Sequence, residues 1–145
     1  MTNYFQVTHI RNLLGHKYFY LWLAELWTVL IAVLCLESSK KLPSIGIKSA
    51  DKYVHFTFYF IFTILWFLYL IKKNNYVKNT INPALIKVFI AALLYGISIE
   101  IVQSLFTVSR KGDVLDVLAN TTGALTAMFL LRLYANTFFK EKIKY

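Results

Sequence analysis

Hydrophobic positions gather into four long runs, Phe19 to Leu36, Tyr53 to Ile71, Ala84 to Phe106 and Val114 to Tyr134, separated by short polar connections. Each run reaches the roughly 20 mostly apolar residues needed to cross a hydrocarbon core about 30 Å thick. Each must be helical there, because an isolated strand leaves backbone N–H and C=O groups unpaired in a solvent that cannot bond them. The connections carry helix-end signals. Ser49, closing the Ser- and Gly-containing stretch before the second run, is placed to cap it. Asn82-Pro83 reads as a cap followed by proline at the first helical position of the third. Only Thr107 to Gly112 separate the third run from the fourth, so these two helices must be antiparallel neighbours. The pattern predicts an all-α fold, an integral membrane four-helix transmembrane bundle, with residues 1–145 forming a single domain without repeats.

Composition sharpens this reading. The 145 residues are 58% hydrophobic, well above the level of a soluble domain, and only 16% charged, which excludes a soluble enzyme. The charge is nevertheless lopsided at +9. Because Lys and Arg sit between the apolar runs, they read as membrane-flanking residues and no nucleic-acid surface is expected. Ten of the 16 Lys and Arg fall on the side that holds the two termini and six on the other, so the positive-inside rule puts both termini in the cytoplasm. The lone Cys35 offers neither a disulfide nor a Cys-based zinc site. Leu34 before it does not fit a lipoprotein cleavage box, and Cys35-Leu36-Glu37 is a poor signal-peptidase site, so the first run is expected to stay as a span.

With that topology, the polar residues inside or beside the spans converge on three helix ends, all on the outer side. Asp51, Lys52, His55 and Tyr59 share one face of the second helix. Gly96, Glu100, Gln103 and Thr107 make a polar or small stripe on the third, and Asp113, Asp116, Asn120 and Gly123 another on the fourth. Glu100 and Asn120 each lie six residues inside their outer ends, about 9 Å deep at 1.5 Å per residue. An ionised group in the bilayer core costs at least about 2.5–3.5 kcal/mol, so Glu100 must turn inward and find a partner. Arg110 is the nearest base in sequence. Glu100, His55 and Asp116 are the candidates for acid/base chemistry near neutral pH. Plainer roles stay open. Asp113 and Asp116 also fit a helix cap and first turn, His55 fits a packed interfacial histidine, and Gln103 and Asn120 fit bonds that only join helices. Glu25, toward the opposite leaflet, is expected to pair with Arg132 or Lys87, and the aromatics are expected to face lipid and its interfaces.

Three blocks carry a resemblance: Asp51-Lys52-Tyr53-Val54-His55-Phe56-Thr57-Phe58-Tyr59-Phe60, then Glu100-Ile101-Val102-Gln103, then Arg110-Lys111-Gly112-Asp113 through Asp116, Ala119 and Asn120 to Gly123. Together, and in this order, they resemble the VanZ-like membrane protein family, whose namesake is associated with resistance to the lipoglycopeptide antibiotic teicoplanin. The resemblance implies a protein of the bacterial cytoplasmic (inner) membrane. The residues that converge on the three outer helix ends, Asp51, Lys52, His55, Glu100, Gln103, Arg110, Asp113, Asp116 and Asn120, are the expected ligand-binding set. A membrane lipid, a lipid-linked cell-wall precursor or another amphiphile is the expected ligand. The alternatives are an enzyme modifying a lipid headgroup and a proton-coupled carrier, the latter needing a homo-oligomer.

Enzyme templates do not fit. Asp113-x-x-Asp116 lacks the glycine and the second D-x-x-x-D pair of headgroup phosphotransferases, His9 and His16 precede the first span, and no serine stands in a nucleophile turn. No metal site is expected, and no cofactor is legible. The charge count carries a direct test: an alkaline phosphatase fused to the C-terminus should be inactive and a green fluorescent protein fused there bright, and the reverse pair of results would invert the bundle.

Overall fold

The computed structural model describes residues 17–37, 50–75, 77–106 and 113–142. Among these residues there are four helices, α1 (Lys17–Leu36), α2 (Ala50–Lys73), α3 (Ile81–Phe106) and α4 (Val114–Lys142), with a 3₁₀ turn, Lys78–Thr80, leading into α3. No strand occurs among the described residues. All four helices are long and apolar enough to cross a membrane, and α2, at 24 residues, spans about 36 Å. The chain is a multi-pass membrane protein. Exposed Leu26, Val29, Leu94, Ile97, Leu118 and Phe129 cover its outer faces, as a lipid solvent requires.

Contacts between helix ends establish an up-down-up-down order. The end of α1 touches the end of α3, where Gln103 Nε2 donates to the Cys35 carbonyl at 2.6 Å. The start of α2 touches the start of α4, where Lys52 reaches Asp113 and Asp116. α2 and α3 form the shared middle, with α1 packed against both on one side and α4 against both on the other. Side chains of α2 and α3 also bond α1 directly. Trp66 Nε1 donates to Thr28 Oγ1 at 3.1 Å and Tyr95 Oη to the Thr28 carbonyl at 2.6 Å, while Trp27 of α1 donates to the Phe58 carbonyl at 3.0 Å. Such bonds have few competitors in hydrocarbon.

α4 meets α2 through its smallest residues. Its buried positions are Asp116, Asn120, Gly123, Ala124, Ala127 and Ala135, a row of short side chains that lets two backbones close in. At Gly123 the approach is so tight that an added Cβ would lie 2.2 Å from the Phe56 carbonyl oxygen. This closeness is what allows side chains as short as Asp116 and Asn120 to reach across to α2.

Three expectations are corrected. α3 begins at Ile81, so Pro83 is its third residue and Asn82 lies inside the first turn; the first four N–H groups of a helix have no intrahelical acceptor, so proline costs no bond there. Glu25 pairs with neither Arg132 nor Lys87, because Ala24, Ile31 and Cys35 define the inward face of α1 and Glu25 points away from it, exposed. Some of the aromatics do face outward, among them Trp22, Tyr53 and Tyr134, but Tyr59 and Phe62 are core residues and Phe62 stacks on Tyr95 with ring centroids 5.6 Å apart. The proposed cap, Ser49, lies outside the described residues.

Gly123→Ala should lower stability by about 1–3 kcal/mol through overpacking, even though alanine favours a helix by about 1 kcal/mol. Thermal unfolding in detergent measures it, with exposed Leu118→Ala as the variant that should leave the midpoint unchanged.

Candidate functional site

The site is built on the first two turns of α2 and α4 and the last two of α3. Lys52 stands in the first turn of α2, and its ammonium donates to Asp51 Oδ2 at 2.8 Å, Asp113 Oδ2 at 2.6 Å and Asp116 Oδ1 at 2.6 Å. Asp113 caps α4: its Oδ1 accepts from the Leu115 N–H at 2.9 Å and its carbonyl from the Asp116 N–H at 2.9 Å. Its own N–H donates to Glu100 Oε2 at 3.0 Å. Asp113 is thus the residue where α2, α3 and α4 meet. The cap reading and the site reading of this residue hold together, since the two carboxylate oxygens do different work.

One helical turn deeper, His55 is buried, 3% exposed, between two carboxylates. Its Nδ1 lies 3.1 Å from Asn120 Oδ1 and 3.9 Å from Glu100 Oε1, and its Nε2 lies 3.7 Å from Asp116 Oδ2. With Asn120 Oδ1 as acceptor, Nδ1 carries a proton and Nε2 turns toward Asp116. Glu100 and Asn120, which helix arithmetic put at one depth, both approach the same imidazole nitrogen. Below them Tyr59 is fully buried, and Gly96 makes room for it: a Cβ on Gly96 would come within 3.1 Å of Asn120 Nδ2 and 3.4 Å of the Tyr59 ring.

Among the described residues four carboxylates, Asp51, Glu100, Asp113 and Asp116, thus gather around a single ammonium, so acidic groups are in excess there. Three of its buried polar atoms have no hydrogen-bond partner: Glu100 Oε1, Asn120 Nδ2 and Tyr59 Oη. An unsatisfied buried polar group costs about 1–3 kcal/mol, and here two donors and an acceptor stand within one small region. His55, Glu100 and Asp116 each offer a donor atom within 4.8 Å of one another, and so do Asp51, Asp113 and Asp116. The second trio already surrounds the Lys52 ammonium. The first is the one with an acceptor to spare.

The family model described as VanZ/LLP1 matches residues 3–135. The chain belongs to the VanZ/LLP1 family. Comparison with curated proteins and with solved structures gives no match. In this VanZ-family bundle the three sequence blocks fold to one place: Asp51, Lys52, His55, Glu100, Asp113, Asp116 and Asn120 all join the cluster. Gln103 is buried near the end of α3 and donates to the Cys35 carbonyl of α1. Arg110, Lys111 and Thr107 lie outside the described residues. Tyr59 was legible only as part of the α2 face, and Thr63 not at all, although both follow His55 at successive intervals of four, a buried polar column along α2. The donor trio carries no metal-site spacing because its members come from three helices.

Asp113, which precedes the α4 span, is held below the usual carboxylate range first by the Lys52 ammonium and then by the Leu115 N–H. A carboxylate depressed in the folded state adds stability above its unfolded value, 3.8, and loses it as the pH falls through the folded pKa. Acidification below about pH 4 should therefore lower the melting temperature of the native protein more than that of Lys52→Met. At neutral pH, a double-mutant cycle between Lys52→Met and Asp116→Asn should return a coupling of about 0.5–3 kcal/mol; additive effects would mean that the two helices are not tied here.

Proposed function

We propose that this VanZ-family protein binds the polar headgroup of an amphiphile, a membrane lipid or a lipid-linked cell-wall precursor, in the acidic cluster at the shared end of α2, α3 and α4. In this reading the protein lies in the bacterial cytoplasmic membrane with both termini inside, and the cluster opens to the outer leaflet, where such precursors and lipidated antibiotics are met. The observation that carries the proposal is the set of buried polar atoms without a hydrogen-bond partner beside a fixed cation: Glu100 Oε1, Asn120 Nδ2 and Tyr59 Oη next to Lys52 and His55. A headgroup with hydroxyl, amide or amine groups supplies both the donor that Glu100 lacks and the acceptors that Asn120 and Tyr59 lack, while its chains stay in the surrounding lipid. The excess of carboxylates favours groups that donate hydrogen bonds or carry positive charge.

A second reading, an enzyme acting on such a headgroup, is favoured by one feature. His55 is oriented by Asn120 and faces a carboxylate from each ring nitrogen, an arrangement suited to moving a proton at Nε2, on the side of Asp116. Turnover of a headgroup by the purified protein, lost in His55→Gln with ligand retention kept, separates catalysis from binding.

Glu100→Gln tests the first reading. Replacing a buried charge with its neutral isostere should leave the melting temperature equal or higher. Retention of the co-purifying amphiphile, followed by native mass spectrometry, should fall about tenfold or more, equivalent to about 1.4 kcal/mol of binding. Full retention by a folded Glu100→Gln protein would remove the cluster from ligand binding and leave it a structural network.

A further inference from the structure

The opposite end of the bundle has opposite chemistry. There α3 and α4 part to leave two adjoining cavities of about 390 and 410 Å³ that share Asn82 and Arg132. The first is polar, lined by Lys78, Asn79, Asn82, Arg132 and Asn136. The second is an apolar groove of Leu85 and Ile86 on α3 and Leu125, Met128 and Phe129 on α4. Ile86, Leu125 and Phe129 are exposed along it, so the groove is open to the bilayer. Among the described residues neither cavity is lined by an acidic one.

Arg132 stands where the two cavities meet. It is half-buried, five residues inside the end of the apolar stretch Val114–Thr137, or about 8 Å, and among the described residues it forms no ion pair or hydrogen bond. A guanidinium at that depth is stabilised by an anion beside it, and the neighbouring asparagine amides offer hydrogen bonds but no charge. Lys78 adds a second cation at the rim and is likewise unpaired among the described residues. A guanidinium matches a phosphate through two parallel N–H bonds, and the amides of Asn79, Asn82 and Asn136 suit phosphate and ester oxygens. The groove leads from Arg132 toward the bilayer centre, the direction in which an acyl chain leaves its headgroup.

We propose that this cleft is a binding site for one anionic phospholipid, its phosphate on Arg132 and Lys78 and one acyl chain in the groove between α3 and α4. The site is independent of the headgroup cluster, which lies at the other end of the helices and has the opposite charge. Two cations, with no carboxylate among the described lining residues, give the preference for a net-negative lipid over a zwitterionic one.

The protein in nanodiscs of equimolar phosphatidylglycerol and phosphatidylcholine, released and weighed by native mass spectrometry, provides the test. The native protein should retain phosphatidylglycerol at least about fivefold over phosphatidylcholine, Arg132→Gln should lose that preference, and Glu100→Gln should keep it. Because Arg132→Gln changes a half-buried position, the exposed pair Lys78→Gln with Asn136→Ala gives a second measure and should weaken the preference about twofold or more. No preference in the native protein, or an unchanged preference in both altered proteins, overturns the proposal. Raised thermal stability with millimolar inorganic phosphate alone, equal to that with phosphatidylglycerol, would also overturn it, in favour of a soluble-anion site.

Discussion

One ammonium group organises the end of this bundle where the chemistry is concentrated. Lys52 draws Asp51, Asp113 and Asp116 to within 2.8 Å, and two of these belong to the start of another helix. Without that cation three carboxylates would confront one another at the edge of a low-dielectric medium, where like charges at such separations repel strongly. With it, the first turn of α4 is pinned to the first turn of α2, and the Asp113 N–H is presented to Glu100 on α3. The deeper pair, His55 and Asn120, inherits its alignment from this anchor one turn above.

Packing makes the anchor geometrically possible. Aspartate and asparagine are too short to bridge two helices at an ordinary interaxial distance of 8–10 Å unless the backbones come close. Gly123 provides that closeness, with Ala124 and Ala127 continuing the narrow face of α4. Below this level the contacts turn apolar, with Phe67, Ile71, Ile81, Leu85 and Val88 filling the other end. A lipid-solvated bundle gains little from burying apolar surface against itself. The polar anchor, the tight α2–α4 contact and the aromatic hydrogen bonds to α1 therefore carry the specificity of the assembly.

The two ends of the molecule divide its electrostatics. Among the described residues carboxylates outnumber cations around His55 and Glu100, while Arg132 and Lys78 face the cleft between α3 and α4 with asparagines as its other polar lining. An amphiphile donating hydrogen bonds suits the first, and a phosphate the second. Both regions sit where helices end and bilayer polarity changes steeply.

Span number, helical state and family were legible in the sequence, because a bilayer admits only one kind of isolated spanning segment and the three polar blocks are spaced on helical faces. The depth match of Glu100 and Asn120 was legible for the same reason: rise per residue is constant. What sequence spacing could not decide was partnership. Glu100 looked nearest to Arg110 along the chain, yet among the described residues its bonded partner is the Asp113 N–H and its facing group is His55 on α2. Gln103 lay in the same stripe as Glu100, and only the position of α1 assigned it to the Cys35 carbonyl. Glu25 was offered a salt bridge that the rotation of α1 forbids. Periodicity specifies which residues share a face, but which faces meet depends on how closely two backbones approach and how each helix is turned about its axis, and those are settled by packing across the whole bundle.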